Sequence, residues 1–234
     1  MERVRTEDGS STLYDPALGV HYRSIHGART EASTVFIDGT RLTRREGPWH
    51  VLELGFGAAT SFEVAVEAAR AAGVALHFHS VERSPLDPML LADRTGEPGA
   101  MARRALMSAA ARGRGKVEVT SDDGLITLSL HIGGWAELQP LRFEADAIFH
   151  DPFSAATNPD CWTQECFAWH AQHMHARTVL ATYGAATAAR RAMWAAGLHV
   201  ATLPGAGKKR EISIAALDPR AIAHGALLEP KADE

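Results

Sequence analysis

The chain has 234 residues, 46% of them hydrophobic and 22% charged, with a formal net charge of -4. These values suit one sizeable folded domain, and no apolar run approaches the ~18–20 residues that span a bilayer. The charged start, Met1 to Asp8, has no apolar stretch behind it, so no signal peptide is expected. Cys161 and Cys166 are too few for a disulfide framework and fit a reducing cytoplasm. The negative balance offers no global field for nucleic acid, so an RNA substrate would need a local basic patch.

In chain order, residues up to about 50 read as short strands and turns, with a strand at Val35-Phe36-Ile37 ending in Asp38-Gly39 and a break at Gly47-Pro48. Trp49 to Leu54 is a short apolar strand, followed by a turn over Gly55 to Thr60 and an Ala-rich helix from Ser61 to Ala72 that Gly73 stops. Leu76 to Val81 is a second strand, closed by Glu82. A helix is expected from residue 84 to about 115, with Pro85 at its start. Strands at Leu125 to Ile132 and Ala145 to His150 come next, then a helix from Cys161 to His173. A strand at Thr178 to Tyr183, a helix from Ala185 to Ala196 and a strand from Glu211 to Leu217 complete the pattern. Alternating strands and helices predict a doubly wound α/β domain with a mostly parallel, doubly covered sheet and a helical insertion. The expected division is an N-terminal β extension over 1–48 packed on the rest, a main domain over 49–220, and a tail over 221–234.

The strongest chemical feature is Glu53-Leu54-Gly55-Phe56-Gly57 on a strand-to-helix turn. Glycines there let the backbone turn sharply and approach a ligand closely. Glu82, at the end of the next strand, can accept hydrogen bonds from both hydroxyls of a ribose. A pyrophosphate cofactor is disfavoured, because Thr60 replaces the third glycine and Glu53 would face a diphosphate. S-adenosylmethionine carries a cationic amino group and a sulfonium and no phosphate, so the acid favours it over a nicotinamide dinucleotide. A glycine turn of purely structural use remains the alternative. A second constellation, His150-Asp151-Pro152-Phe153-Ser154 followed by Asn158-Pro159 and Trp162-Thr163, lies just after a strand, where open α/β sheets bind ligands. The plainer reading is an Asp-Pro turn and an Asn-Pro helix entry, with Trp162 in the core.

The chain resembles the MnmC-like methyltransferases in four blocks. These are Asp8 to Leu13 with Gly27 to Ala32 and Val35 to Ile37; Leu54-Gly55-Phe56-Gly57 with Ser80-Val81-Glu82; Phe149 to Ser154 with Asn158-Pro159 and Trp162-Thr163; and Gly205 to Glu211. The resemblance implies a class I methyltransferase fold, with 49–220 as the domain that binds S-adenosylmethionine and Glu53, Gly55, Phe56, Gly57 and Glu82 as its contacts. It also implies tRNA as substrate, with N-methylation of an aminomethyl group on the wobble uridine. The family's oxidase half has no counterpart here, so a separate oxidoreductase is expected to supply the aminomethyl substrate. Asp151 is expected to hydrogen-bond the acceptor amine and ease its proton loss, with Phe153 on the apolar side of the pocket and Tyr22 and Glu31 as further wall residues. Lys208 and Lys209, beside Arg210, form either a phosphate-contacting patch or a solvated turn.

Two departures stand out. Tyr22-Arg23-Ser24 replaces a Tyr-His-Ser, and Ile132-Gly133-Gly134-Trp135 lacks the family's acid near the adenine, leaving Trp135 either to stack on that ring or to join the core. No metal site is expected, since His170, His173 and His175 lack completing ligands and Cys161 and Cys166 lack zinc-knuckle spacing. Rival readings are a same-fold methyltransferase acting on a small molecule or a protein, and a relative that binds the donor without catalysis.

Overall fold

The structure is a computed structural model that describes residues 1–138, 141–205 and 211–230. β1 (Glu2–Arg5), β2 (Ser11–Asp15) and β3 (Val20–His21) form a small antiparallel sheet of their own. Then α1 (Ala28–Ala32) widens into a π-helical turn over Ser33–Asp38. The main domain follows as β4 (Trp49–Leu54), α2 (Thr60–Ala72), β5 (Leu76–Glu82), α3 (Gly96–Arg112), β6 (Gly115–Thr120) and β7 (Ile126–Ile132). It continues as β8 (Ala145–His150), α4 (Gln164–Ala171), β9 (Met174–Thr182), α5 (Thr187–Ala195), β10 (His199–Pro204), β11 (Glu211–Ala216) and β12 (Ala226–Leu228).

The nine strands of the large sheet lie in the order β12-β10-β11-β9-β8-β4-β5-β7-β6. β4 runs parallel to both β5 and β8, and β5–β7 and β8–β9 are also parallel, while β6, β10, β11 and β12 pair antiparallel. The chain therefore winds outward in both directions from β4, and the crevice at that reversal is where such sheets take ligands. This is the doubly wound sheet that the alternating pattern predicts. Apolar side chains fill both faces. Val51, Phe78 and Phe149 pack under α2 and α3, represented by Phe62 and Met101. Leu52, Ile148 and Leu180 pack on the other face with Phe167 of α4 and Met193 of α5. Among the described residues, no helix is long and apolar enough to cross a membrane.

Several elements differ from the sequence expectation. Val35-Phe36-Ile37 is helical, and all three side chains are buried, Phe36 stacked on Phe149 at 4.8 Å. A run of three buried apolar residues has no period to read, and packing decided its form. Only a 3-10 turn at Pro88–Leu91 precedes α3, so the expected helix over 84–115 starts at Gly96 instead. β6 and β10 were not expected. β6 is a mostly exposed edge strand that buries only Val117 fully, so its pattern is weak. The stretch over 221–234 contributes β12, which pairs with β10 at the far edge.

Candidate functional site

A cavity of about 770 Å³ opens at the carboxyl end of β4, β5 and β8, walled also by the β2–β3 region. Of the residues expected to act there, Tyr22, Glu31, Gly55, Phe56, Gly57, Glu82, Asp151 and Phe153 all line it. Glu53 does not. It is fully buried behind the turn, where Ser80 Oγ donates to it at 2.6 Å and its other oxygen has no partner. Burial pushes its carboxyl up to about 7, against the hydrogen bond from Ser80 and the charge of Arg23. Lys208 and Lys209 lie outside the described residues. β10 ends at Pro204 and β11 begins at Glu211 on the edge of the sheet that carries the cavity.

The turn after β4 brings backbone close to the ligand space. Gly55 has φ +97°, and a Cβ there would stand 2.7 Å from the Asp151 carbonyl oxygen. Gly57 has φ +48° and faces the Tyr22 ring at 3.1 Å from the same hypothetical atom. Side chains at either position would press the turn, the β8 loop and Tyr22 apart. The Glu82 carboxylate accepts from Gly57 N–H at 3.0 Å and Ser84 N–H at 2.8 Å, and keeps further lone pairs for hydroxyl donors. Trp135 also lines the cavity, and its buried indole N–H has no protein partner. The ring lies 6.5 Å from Trp169, so it belongs to the cavity wall and to the core together. An acid oriented by two amides, a glycine cradle and an unpartnered donor fit an adenosyl group.

The loop after β8 is held by its backbone. Asp151 N–H donates to Leu54 O at 3.0 Å, Tyr183 OH to Pro152 O at 2.6 Å, and Trp162 Nε1 to Phe153 O at 2.7 Å. Trp162 is thus a core residue whose polar edge fixes the loop, which joins the two readings its sequence context allowed. The Asp151 carboxylate pairs with Arg23 and accepts from Ser61 Oγ at 3.4 Å. Phe153 meets Tyr22 edge-on at 4.8 Å. Glu31 is buried and accepts from Ser24 N–H at 3.1 Å. The first resemblance block has a structural basis as well: Asp8 accepts from Thr6 and Ser10 and from both the amide and hydroxyl of Thr30. That knot holds α1, and with it Glu31, against the β extension.

Sequence reading did not assign a role to Arg23 or Tyr183, because partners 128 positions away in the case of Arg23 and Asp151 leave no local spacing to find. Nor did it pair His150 with His170. The ligating atoms of His150, Cys166 and His170 lie within 4.8 Å of one another, all buried. His150 Nδ1 and His170 Nε2 share a hydrogen bond at 3.0 Å, and Trp162 and Phe167 pack on the His150 ring at 4.7 Å. Burial pushes His150 down to about 3. His173 is engaged by Trp169 O and Leu141 N–H, both at 2.9 Å, which leaves His170, His173 and His175 in different surroundings.

Comparison with known proteins agrees with this geometry. A family model described as S-adenosyl-L-methionine-dependent methyltransferase matches residues 98–218, over half of the chain. A bifunctional protein MnmC of tRNA 5-methylaminomethyl-2-thiouridine biosynthesis from Chromohalobacter salexigens is 34% identical over 220 residues, covering 89% of this chain and 32% of that protein. Its counterpart from Pseudomonas putida strain W619 is 36% identical over 219 residues, covering 88% and 33%. The chain therefore spans about a third of the length of these relatives. The crystal structure of MNMC2 from Aquifex aeolicus shares the fold, with a TM-score of 0.74 at 22% identity over 99% of this chain and 72% of that one. By the family match, on a sheet with this order and a cavity at this edge, the chain belongs to the S-adenosyl-L-methionine-dependent methyltransferases.

Proposed function

We propose that the chain N-methylates an aminomethyl group on the wobble uridine of tRNA, in the cytoplasm, with a separate oxidoreductase supplying that group. The observation that carries this reading is the likeness to two MnmC proteins over 88–89% of the chain. S-adenosylmethionine supplies an electrophilic methyl on a sulfonium. The chain's own work is to bind, orient and exclude water. Glu82 is placed to take the ribose hydroxyls, and Gly55 and Gly57 give the backbone its close approach. Glu53 supports the turn from behind through Ser80. Phe153 and Tyr22 make the apolar side of the acceptor pocket, and Glu31 sits on the same wall. Asp151 accepts a hydrogen bond from the amine and directs its lone pair, so that proximity supplies much of the rate. Lys208 and Lys209 contact tRNA phosphate.

The test is transfer of labelled methyl from S-adenosylmethionine to tRNA bearing 5-aminomethyl-2-thiouridine, read by mass in the digested nucleosides. A nucleoside heavier by one methyl is expected. Asp151→Asn should keep donor binding by calorimetry and lose about 10²-fold in turnover through lost positioning of the amine; unchanged turnover removes Asp151 from the mechanism. A second reading, a small-molecule or protein amine as acceptor, is favoured by the cavity wall itself. Asp15, Glu31, Glu82, Asp87, Asp151 and Asp160 line it against Arg23 and Arg83. That wall suits a cationic amine better than a polyanion. Methyl transfer to such amines with none to tRNA would decide for it.

A further inference from the structure

Arg23 stands where the β extension meets the catalytic loop. It is 7% exposed, its guanidinium pairs with Asp151 and donates to Ser61, and it lies over the Phe36 ring at 5.2 Å. Its backbone N–H donates to Thr12 Oγ1 at 2.8 Å, so β2 fixes the point from which the side chain reaches across. The charged and titratable groups around it are Glu31 from α1, Glu53 from β4, Tyr183 beyond β9, and Arg94 ahead of α3. A carboxylate already paired with a guanidinium is a poor proton acceptor and a well-oriented acceptor of N–H hydrogen bonds.

We propose that Arg23 is a positioning residue that locks Asp151 as a permanently ionised hydrogen-bond acceptor, so that the acceptor amine reacts as its free base and Asp151 never takes its proton. The inference rests on the reading of Asp151 as the carboxylate that faces the amine. In the step, the neutral nitrogen's lone pair forms the N–C bond while the methyl–sulfur bond breaks with its electron pair left on sulfur. The ammonium so formed gives its proton to water after release. Ser61, at the start of α2, braces the same pair through its hydroxyl.

The first readout needs no methyl donor. Carbon-13 NMR of protein labelled at aspartate carboxyls follows Asp151, with Asp151→Asn assigning its signal. In the wild type the signal should move only below the ordinary aspartate midpoint of about 3.9. In Arg23→Met the midpoint should rise by about one to three pH units, and in Arg23→Lys by less. A wild-type midpoint above about 5, or one that neither variant moves, overturns the inference. If Arg23→Met does not fold, the wild-type titration and Arg23→Lys decide the matter. On aminomethyl-uridine tRNA, kcat/KM should track only the free-base fraction of the substrate amine. A separate inflection between about pH 5 and 7 that Arg23→Lys displaces would show Asp151 accepting a proton, and would also overturn it. A wild type that methylates no tRNA defeats the proposed acceptor while the carboxyl titration still judges Arg23.

Discussion

At the residue scale, Gly55 shows how little tolerance the site has. Its φ of +97° strains any L side chain, and its Cβ would meet the Asp151 carbonyl at 2.7 Å. Gly55→Ala should cost at least about 1–3 kcal/mol in unfolding free energy and weaken S-adenosylmethionine binding about tenfold or more, read by denaturation and calorimetry. A variant of wild-type affinity would show that the turn does not set the donor site. Glu53 and Glu82 illustrate the limit of motif reading. Both acids are legible from their spacing to the glycines, but only Glu82 reaches the cavity wall. Residue 53 points toward α2 while its neighbours Leu52 and Leu54 point to the other face, an alternation that the strand imposes. Which face leads to the ligand depends on where α2 sits.

At the level of elements, the β8 loop is held by aromatic side chains from two later segments, Trp162 and Tyr183. Trp162 is the plainest case: its indole N–H holds Phe153 O, and Gly184 must lack a side chain because a Cβ would stand 2.3 Å from the Trp162 ring. Trp162→Phe should retain the fold, lose about 0.5–1.5 kcal/mol of stability, and raise KM for the acceptor more than the dissociation constant of the donor. Equal effects on both would assign Trp162 to packing alone. The basic segment Lys208-Lys209-Arg210 lies between β10 and β11 in the chain and outside the described residues. Replacing Lys208 and Lys209 with Ala should weaken tRNA binding and flatten the logarithmic salt dependence by up to about two units. An unchanged slope would make the segment a solvated turn.

Across the whole molecule, one sheet face carries an unusual layer of imidazoles. His79 stacks on Phe143 at 4.0 Å and on His131 at 5.7 Å, and His50 stacks on His77 at 4.7 Å. Burial pushes His79 down to about 3 and His131 to about 4, with neighbouring positive charge adding to both. In the unfolded chain these rings take protons near pH ~6.5. Their contribution is therefore fully present above that value and declines as pH falls toward 3, because the unfolded state binds more protons throughout that window. Melting temperature should be nearly flat from pH 8 to 7 and drop progressively below about 6.5. His79→Phe should make that drop shallower; an identical pH profile would place the acid sensitivity elsewhere, with His150 the next ring to replace.

The alternation of apolar runs with glycine-bounded helices was enough by itself to determine the doubly wound sheet, since parallel strands buried on both faces are largely apolar and must be separated by crossovers. The glycine turn, Glu82 and the Asp151 loop were legible for the same reason: their chemistry depends on neighbours in the chain. Tertiary structure alone decided the rest. The helical form of Val35 to Ile37 comes from their burial, β6 and β12 are strands because they close the two edges of the sheet, and β10 is one because β11 and β12 pair with it on both sides. The pairing of Arg23 with Asp151, of His150 with His170, and of Trp162 with Phe153 O joins distant or differently oriented groups. Such contacts exist only once the chain has closed on itself, and no local spacing encodes them.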